Sequence, residues 1–200
     1  MMMSSLAAAC TVSLILMALP KATISNPGAP CNIGKLSFAI ESEDVSEDCG
    51  VELVLESVQS MPVYLRYDDA DPSKKYTLLM VDPDAASSKA PEKTYFLHWL
   101  LEQVPGKELQ SGKFKNSEED EPVETTYVEK ISYMPPNPPA GSGPHRYQFY
   151  LYEQSVPTLN GIPGKTRGGF DMEDFVSINS LGSPVAAFEF VAENLSSGDL

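Results

Sequence analysis

"KYTLLMVDPDAASSKAPEKTYFLHWLLEQV", residues 75–104, sets two long apolar runs on either side of a polar connection that holds two prolines. The first run, up to Val81, is nearly continuous, the pattern of a strand covered on both faces rather than one that alternates at a surface. The second alternates Phe96, His98 and Leu100 against Tyr95, Leu97, Trp99 and Leu101, both sets being largely apolar. Two such runs predict a pair of central buried strands. Working outward, "VELVLE" from Val51 and "MPVYLRY" from Met61 add strand-like stretches, the latter opening on an edge proline. From Arg146 to Tyr152 a further strand is expected, with His145, Tyr147, Phe149 and Leu151 on one face.

Helical signals come late. Asp171 can cap "MEDFVSINSL", with Gly182 closing it, and Ser183-Pro184 suits the N-cap and first position of a second helix. That terminal helix would show Phe188, Val191, Ala192 and Leu195 at helical spacing. Between Lys113 and Glu124, "KFKNSEEDEPVE" reads as a charged, solvated loop.

The chain has 200 residues, 42% hydrophobic and 21% charged, enough apolar material for one domain with a real core. Residues 1–22 read as a secretory signal peptide, with an apolar run from Leu6 to Leu19 and small residues beyond. Residues 23–50 form an N-terminal segment, and residues 51–195 the main domain. A secreted, extracellular protein matures in an oxidising compartment, so Cys31 and Cys49, left as an even pair once Cys10 departs with the signal, are expected to form a disulfide. Such a link stabilises by about 3 kcal/mol if unstrained. Asn194 opens an Asn-Leu-Ser sequon for glycosylation. The formal net charge of −14 repels polyanions and leaves no basic stripe to displace counterions, which excludes nucleic acid as a partner.

Three junctions gather the polar residues of unusual placement: "DPDAA" from Asp82, His98 within a buried strand, and "PPNPPAGSGPHRY" from Pro135 to Tyr147. Singly, each has a structural explanation: a turn capped by aspartate, a satisfied core histidine, a loop. Together they describe a pocket for a phosphate monoester or diester. Imidazole N–H and phenol O–H groups donate to its oxygens, the amides of Gly141 and Gly143 approach closely, and Asp82 either holds one imidazole in its donating tautomer or meets a cationic head group.

These residues resemble the phosphatidylethanolamine-binding protein family, which includes Raf kinase inhibitor protein. "VDPDAASSKAPEKTYFLHWLL" is similar to its DPDAPSR motif and histidine-bearing strand, "GSGPHRYQFYLYEQ" to its G-x-H-R-Y motif, and "KTRGGFDMEDF" to its Arg-Gly-x-Phe segment. The resemblance covers residues 51–193. It implies a mostly β fold of two packed antiparallel sheets with a few helices, one of them C-terminal. It also implies a ligand site at Asp82, Asp84, His98, Pro139, His145 and Tyr147. Ala86 stands where the first motif has proline, Leu97 and Phe96 replace a histidine and a tryptophan, and Phe190, placed on the terminal helix, replaces a pocket tyrosine.

The expected function is a non-enzymatic binding protein, without cofactor or metal, that takes a phospholipid head group or phosphorylated small molecule, with peripheral membrane contact compatible. The alternative is a secreted protease inhibitor or signalling modulator with an extracellular protein partner and a vestigial pocket. A metal-dependent hydrolase built on Asp82, Asp84, His98 and His145 is the minor reading, because Asp-x-Asp is not a diagnostic metal motif.

Overall fold

The structure, a computed structural model, describes residues 30–39, 48–62, 64–85, 95–112, 126–163 and 167–195. The predicted signal peptide, Ala86 in the connection and the acidic insertion lie outside these residues. The elements are β1 (Gly34–Lys35), β2 (Ser37–Ala39), β3 (Val51–Glu52), a short 3₁₀ turn (Leu55–Val58), β4 (Tyr64–Arg66), β5 (Lys75–Asp82), β6 (Phe96–Pro105), α1 (Gly106–Ser111), β7 (Val128–Ile131), β8 (His145–Gln154), α2 (Met172–Ile178) and β9 (Ala186–Ala192).

The fold is mostly β with two sheets. A seven-stranded sheet runs in the order β1-β9-β8-β5-β6-β7, with β3 also beside β9, and β2 pairs with β4 in a small antiparallel sheet. β5 lies between β6 and β8, which explains its unbroken apolar run: Tyr76 to Asp82 are all buried. The central pairings are antiparallel, as expected, but β1 and β3 run parallel to β9, so the large sheet is mixed.

Strand periodicity divides the core into two layers. One face of the sheet buries Leu78, Met80, Tyr147, Phe149, Leu151, Phe188 and Phe190 against Leu36, Phe38 and Leu65 from the small-sheet side. The Phe38 ring sits 4.9 Å from that of Phe188 and stacks on Phe190 at 5.5 Å. The other face buries Leu79, Val81, Leu97, Leu100 and Tyr152 against Phe170 and Phe175. Asp171 caps α2 as predicted, its carboxylate accepting from the Asp174 amide at 2.9 Å.

The expected second helix from Ser183 is instead β9, and Phe190 therefore sits on a strand. The local alternation Ala186, Phe188, Phe190, Ala192 fills the core face, and β9 pairs along seven positions of β8. A helix would leave that edge of β8 unpaired and half of the aromatic layer unfilled, so sheet pairing overrides the helix-start signal. Among the described residues the one helix of the C-terminal region is α2.

The N-terminal segment is woven into the domain rather than only attached to it. Cys31 and Cys49 are bonded as predicted, with Cα atoms 5.5 Å apart, and β1 and β2 enter the two sheets.

Candidate functional site

Antiparallel pairing brings the end of β5 beside the beginnings of β6 and β8. Asp82 pairs with Phe96, and Val81 with both Leu97 and Gln148. Period two puts Asp82 on the same face as Met80, and His145 on that of Tyr147 and Phe149. The β6 strand departs from the predicted alternation here. Met80 pairs with Trp99 while Val81 pairs with Leu97, so His98 is an extra residue in a β-bulge. A bulge turns two successive side chains toward one face. Trp99 packs in the Phe149 layer, and the His98 ring meets Tyr147 edge-to-face at 5.2 Å.

A cavity of about 230 Å³ opens at this corner, walled by Asp82, Ala85, Phe96, His98, His145 and Tyr147 and by a rim of Met134, Pro135, Asn137, Pro138 and Pro139. Prolines stiffen the rim without supplying amide donors, and side chains from elsewhere tie its carbonyls. Gln59 donates to the Pro136 carbonyl at 2.9 Å, and the Asn194 side chain to that of Pro138 at 3.1 Å.

The two histidines are held differently. His145 is 1% exposed and engaged at both nitrogens, Nδ1 with Asp82 Oδ2 at 2.8 Å and Nε2 with Ser142 Oγ at 2.9 Å. Asp82 also accepts from the Asp84 amide at 2.6 Å, the turn-capping role that the Asp-Pro-Asp sequence allows. His98 donates from Nδ1 to the Met134 carbonyl at 2.7 Å, and Nε2 has no hydrogen-bond partner among the described residues. Burial pushes the His98 pKa below the usual imidazole range, because a charged ring loses its water there. Burial likewise raises the Tyr147 phenol, which stays protonated and can donate.

Asp84 lies behind the cavity wall. Its carboxylate takes a two-pronged bond from Arg146, Nε to Oδ2 at 2.8 Å and the second nitrogen to Oδ1 at 2.9 Å, and also accepts the Arg146 amide. Gly141 and Gly143 adopt left-handed backbone, φ 72° and 90°, which turns the rim loop into β8. Neither glycine lines the cavity, and the Gly141 amide donates to the Asn194 carbonyl. Phe190 stacks against Tyr147 at 5.2 Å, as a support and not a wall. Pro139, by contrast, is a wall residue. Among the described residues no group of three or more His, Cys, Asp or Glu side chains is arranged to hold a metal.

The order Ser142, His145, Asp82 is that of an activated nucleophile. Yet Ser142 is not a wall residue, and the neighbouring amides that would stabilise an oxyanion are spent, Ser142 on the Pro139 carbonyl and Gly141 on Asn194. The chain of bonds therefore fixes His145 in place.

Ser142 and Arg167 were absent from the sequence-derived site. Arg167 donates to the His98 carbonyl at 2.8 Å and to that of Ser132 at 2.7 Å, so it fastens the bulged strand to the segment leading into the rim. Its only sequence signal is the Arg-Gly-x-Phe resemblance. Ser142 carries none beyond its place in the loop that opens the G-x-H-R-Y resemblance.

The family profile described as phosphatidylethanolamine-binding protein matches residues 22–190. The chain belongs to the phosphatidylethanolamine-binding protein family. A 26 kDa secreted antigen of Toxocara canis is 31% identical over 164 residues, 79% of this chain and 55% of the relative, so the chain spans little more than half of that protein. Among solved structures, a phosphatidylethanolamine-binding protein from Plasmodium vivax superposes with a TM-score of 0.60 at 19% identity, covering 82% of this chain and 88% of the other. A carboxypeptidase Y inhibitor, solved in complex with its cognate proteinase, gives 0.59 at 24% identity over 80% and 82%. At these identities the two structures speak for the fold.

Proposed function

We propose that this family member is a secreted, non-enzymatic binding protein that takes an anionic, phosphate-type group in the cavity between His98, Tyr147 and the proline rim. The observation that carries this reading is the cavity wall itself, where Tyr147, whose phenol stays protonated, and His98, whose Nε2 is open among the described residues, line a space of about 230 Å³. The group can come from a phospholipid head or a phosphorylated small molecule, and peripheral membrane contact is compatible with either. Secretion draws support from the signal-like start, the disulfide, and the secreted antigen to which the chain is similar. Asn194 stands as a glycosylation site under the same reading.

The test is an NMR titration with phosphorylethanolamine at mildly acidic pH, following both imidazoles. Joint, saturable shifts are expected. No movement at millimolar ligand sinks the reading.

A second reading, a protease inhibitor acting through protein contacts, is favoured by the likeness to the carboxypeptidase Y inhibitor. Under it, replacing His98 and His145 leaves inhibition intact while any ligand uptake disappears.

A further inference from the structure

His98 is held in one tautomer by its surroundings. A carbonyl oxygen can only accept, so the 2.7 Å contact with Met134 requires the hydrogen on Nδ1. A neutral ring has a single N–H, and Nε2 therefore presents a lone pair. The ring lines the cavity, and Nε2 is unbonded among the described residues.

We propose that this lone pair makes the cavity read the protonation state of its ligand: a phosphomonoester monoanion, donating its own P–OH hydrogen to His98 Nε2, is taken ahead of a phosphodiester.

This rests on the phosphate-binding reading above and names the ligand class within it. A monoester monoanion carries the hydrogen that Nε2 lacks, while one of its bare oxygens accepts from the Tyr147 hydroxyl. A diester has no such hydrogen. Its oxygen would meet the Nε2 lone pair, a repulsion relieved only by adding a proton to the ring. The groups around the ring decide how readily that happens. Burial opposes it most, Met134 and Asp82 on β5 favour it, and Arg167 behind the strand and His145 on β8 oppose it. Tyr147 stays neutral at the ring edge, and Phe96 packs beside it at 4.9 Å. At neutral pH His98 is thus an acceptor, the reverse of the donating role expected from sequence.

Phosphorylethanolamine and glycerophosphorylethanolamine offer one head group in the two forms. Binding of each to the mature protein is measured by calorimetry from pH 5 to pH 8. Monoester affinity is expected to hold until the ligand's second pKa, about 6, and then to fall tenfold per pH unit. Diester affinity falls tenfold per unit from a lower pH that belongs to His98. Replacing the bridging ester oxygen by methylene raises the ligand's second pKa, and the monoester bend should move up with it.

A bend that ignores the ligand's pKa, or monoester and diester curves that coincide, overturns the proposal while leaving phosphate binding standing. Absence of binding by both ligands at every pH removes both ideas. A separate readout is the ring itself: long-range proton–nitrogen NMR should show Nδ1 protonated and Nε2 bare in the free protein at pH 7, and a dominant Nε2–H form refutes the proposal. The monoester can be free or carried by a lipid. Vesicles of phosphatidylcholine with and without phosphatidic acid distinguish these sources, since only a lipid-borne monoester retains the protein on the membrane.

Discussion

The two sides of the cavity use the same side chain for different ends. On the β8 side, His145 is bonded at both nitrogens, its partner Asp82 is bonded at both oxygens, and Asp84 is closed off by Arg146. On the β6 side, His98 lines the cavity and is bonded once among the described residues, through Nδ1, which leaves Nε2 open. A buried polar group with all its bonds made gives rigidity, and one with a bond left open gives recognition. The β8 histidine is thus scaffold, and under the proposed function the β6 histidine meets the ligand together with Tyr147.

Breaking the scaffold should cost the most. Asp84→Ala leaves the Arg146 guanidinium, 20% exposed, without its carboxylate, and breaking a largely buried pair of this kind costs about 3 kcal/mol. Urea denaturation reads this as a lower midpoint at unchanged slope. A change under 0.5 kcal/mol, roughly the size of a surface substitution, would place Arg146 among ordinary surface charges.

The comparison sharpens when the histidines are replaced in turn. His145→Ala strands the Asp82 carboxylate in the core and should destabilise by about 2 kcal/mol. His98→Gln keeps a donor within reach of Met134 and should cost under about 1 kcal/mol, yet remove the pH dependence of diester binding, which belongs to the ring, while the monoester's bend, which belongs to the ligand, remains. Equal losses of stability in the two variants would erase the distinction between scaffold and recognition.

An effect of opposite sign, a gain in stability, lies on the far face of the sheet. Glu189 is fully buried, takes one bond from Gln148 at 2.7 Å, and leaves Oε1 without a partner among the described residues. Burial raises its pKa in the folded state, so its stabilising contribution is present below the unfolded pKa of about 4.3 and is lost as pH rises through the folded value. Glu189→Gln should therefore gain about 1 kcal/mol at pH 7 and flatten the fall in stability above pH 5, followed by thermal melts across that range. A loss at pH 7 would mean that the charge is compensated.

Much of the site was legible because its signals are local. The apolar run of β5, the capped turn at Asp82 and the Asp171 cap each depend on residues a few positions apart, and the structure keeps them. The role of each polar group was less so. Gly141 looked like an anion donor, but its amide is used by the Asn194 carbonyl, a partner more than fifty residues away. Asp84 looked like a ligand contact and is instead paired with Arg146. Whether a donor is free is decided by what packs against it, and no periodicity reports that.

Taken alone, the sequence determined the mostly β class, the central strands, the disulfide pair, the family, and which histidines and aspartates share a corner. The tertiary structure decided that 186–192 is a strand, because an unpaired β8 edge and an unfilled aromatic layer outweigh a local helix start. It also decided that a bulge aims His98 into the cavity and that the Met134 carbonyl chooses its tautomer. Both depend on register and hydrogen-bond partners between distant segments, which exist only once the chain has folded.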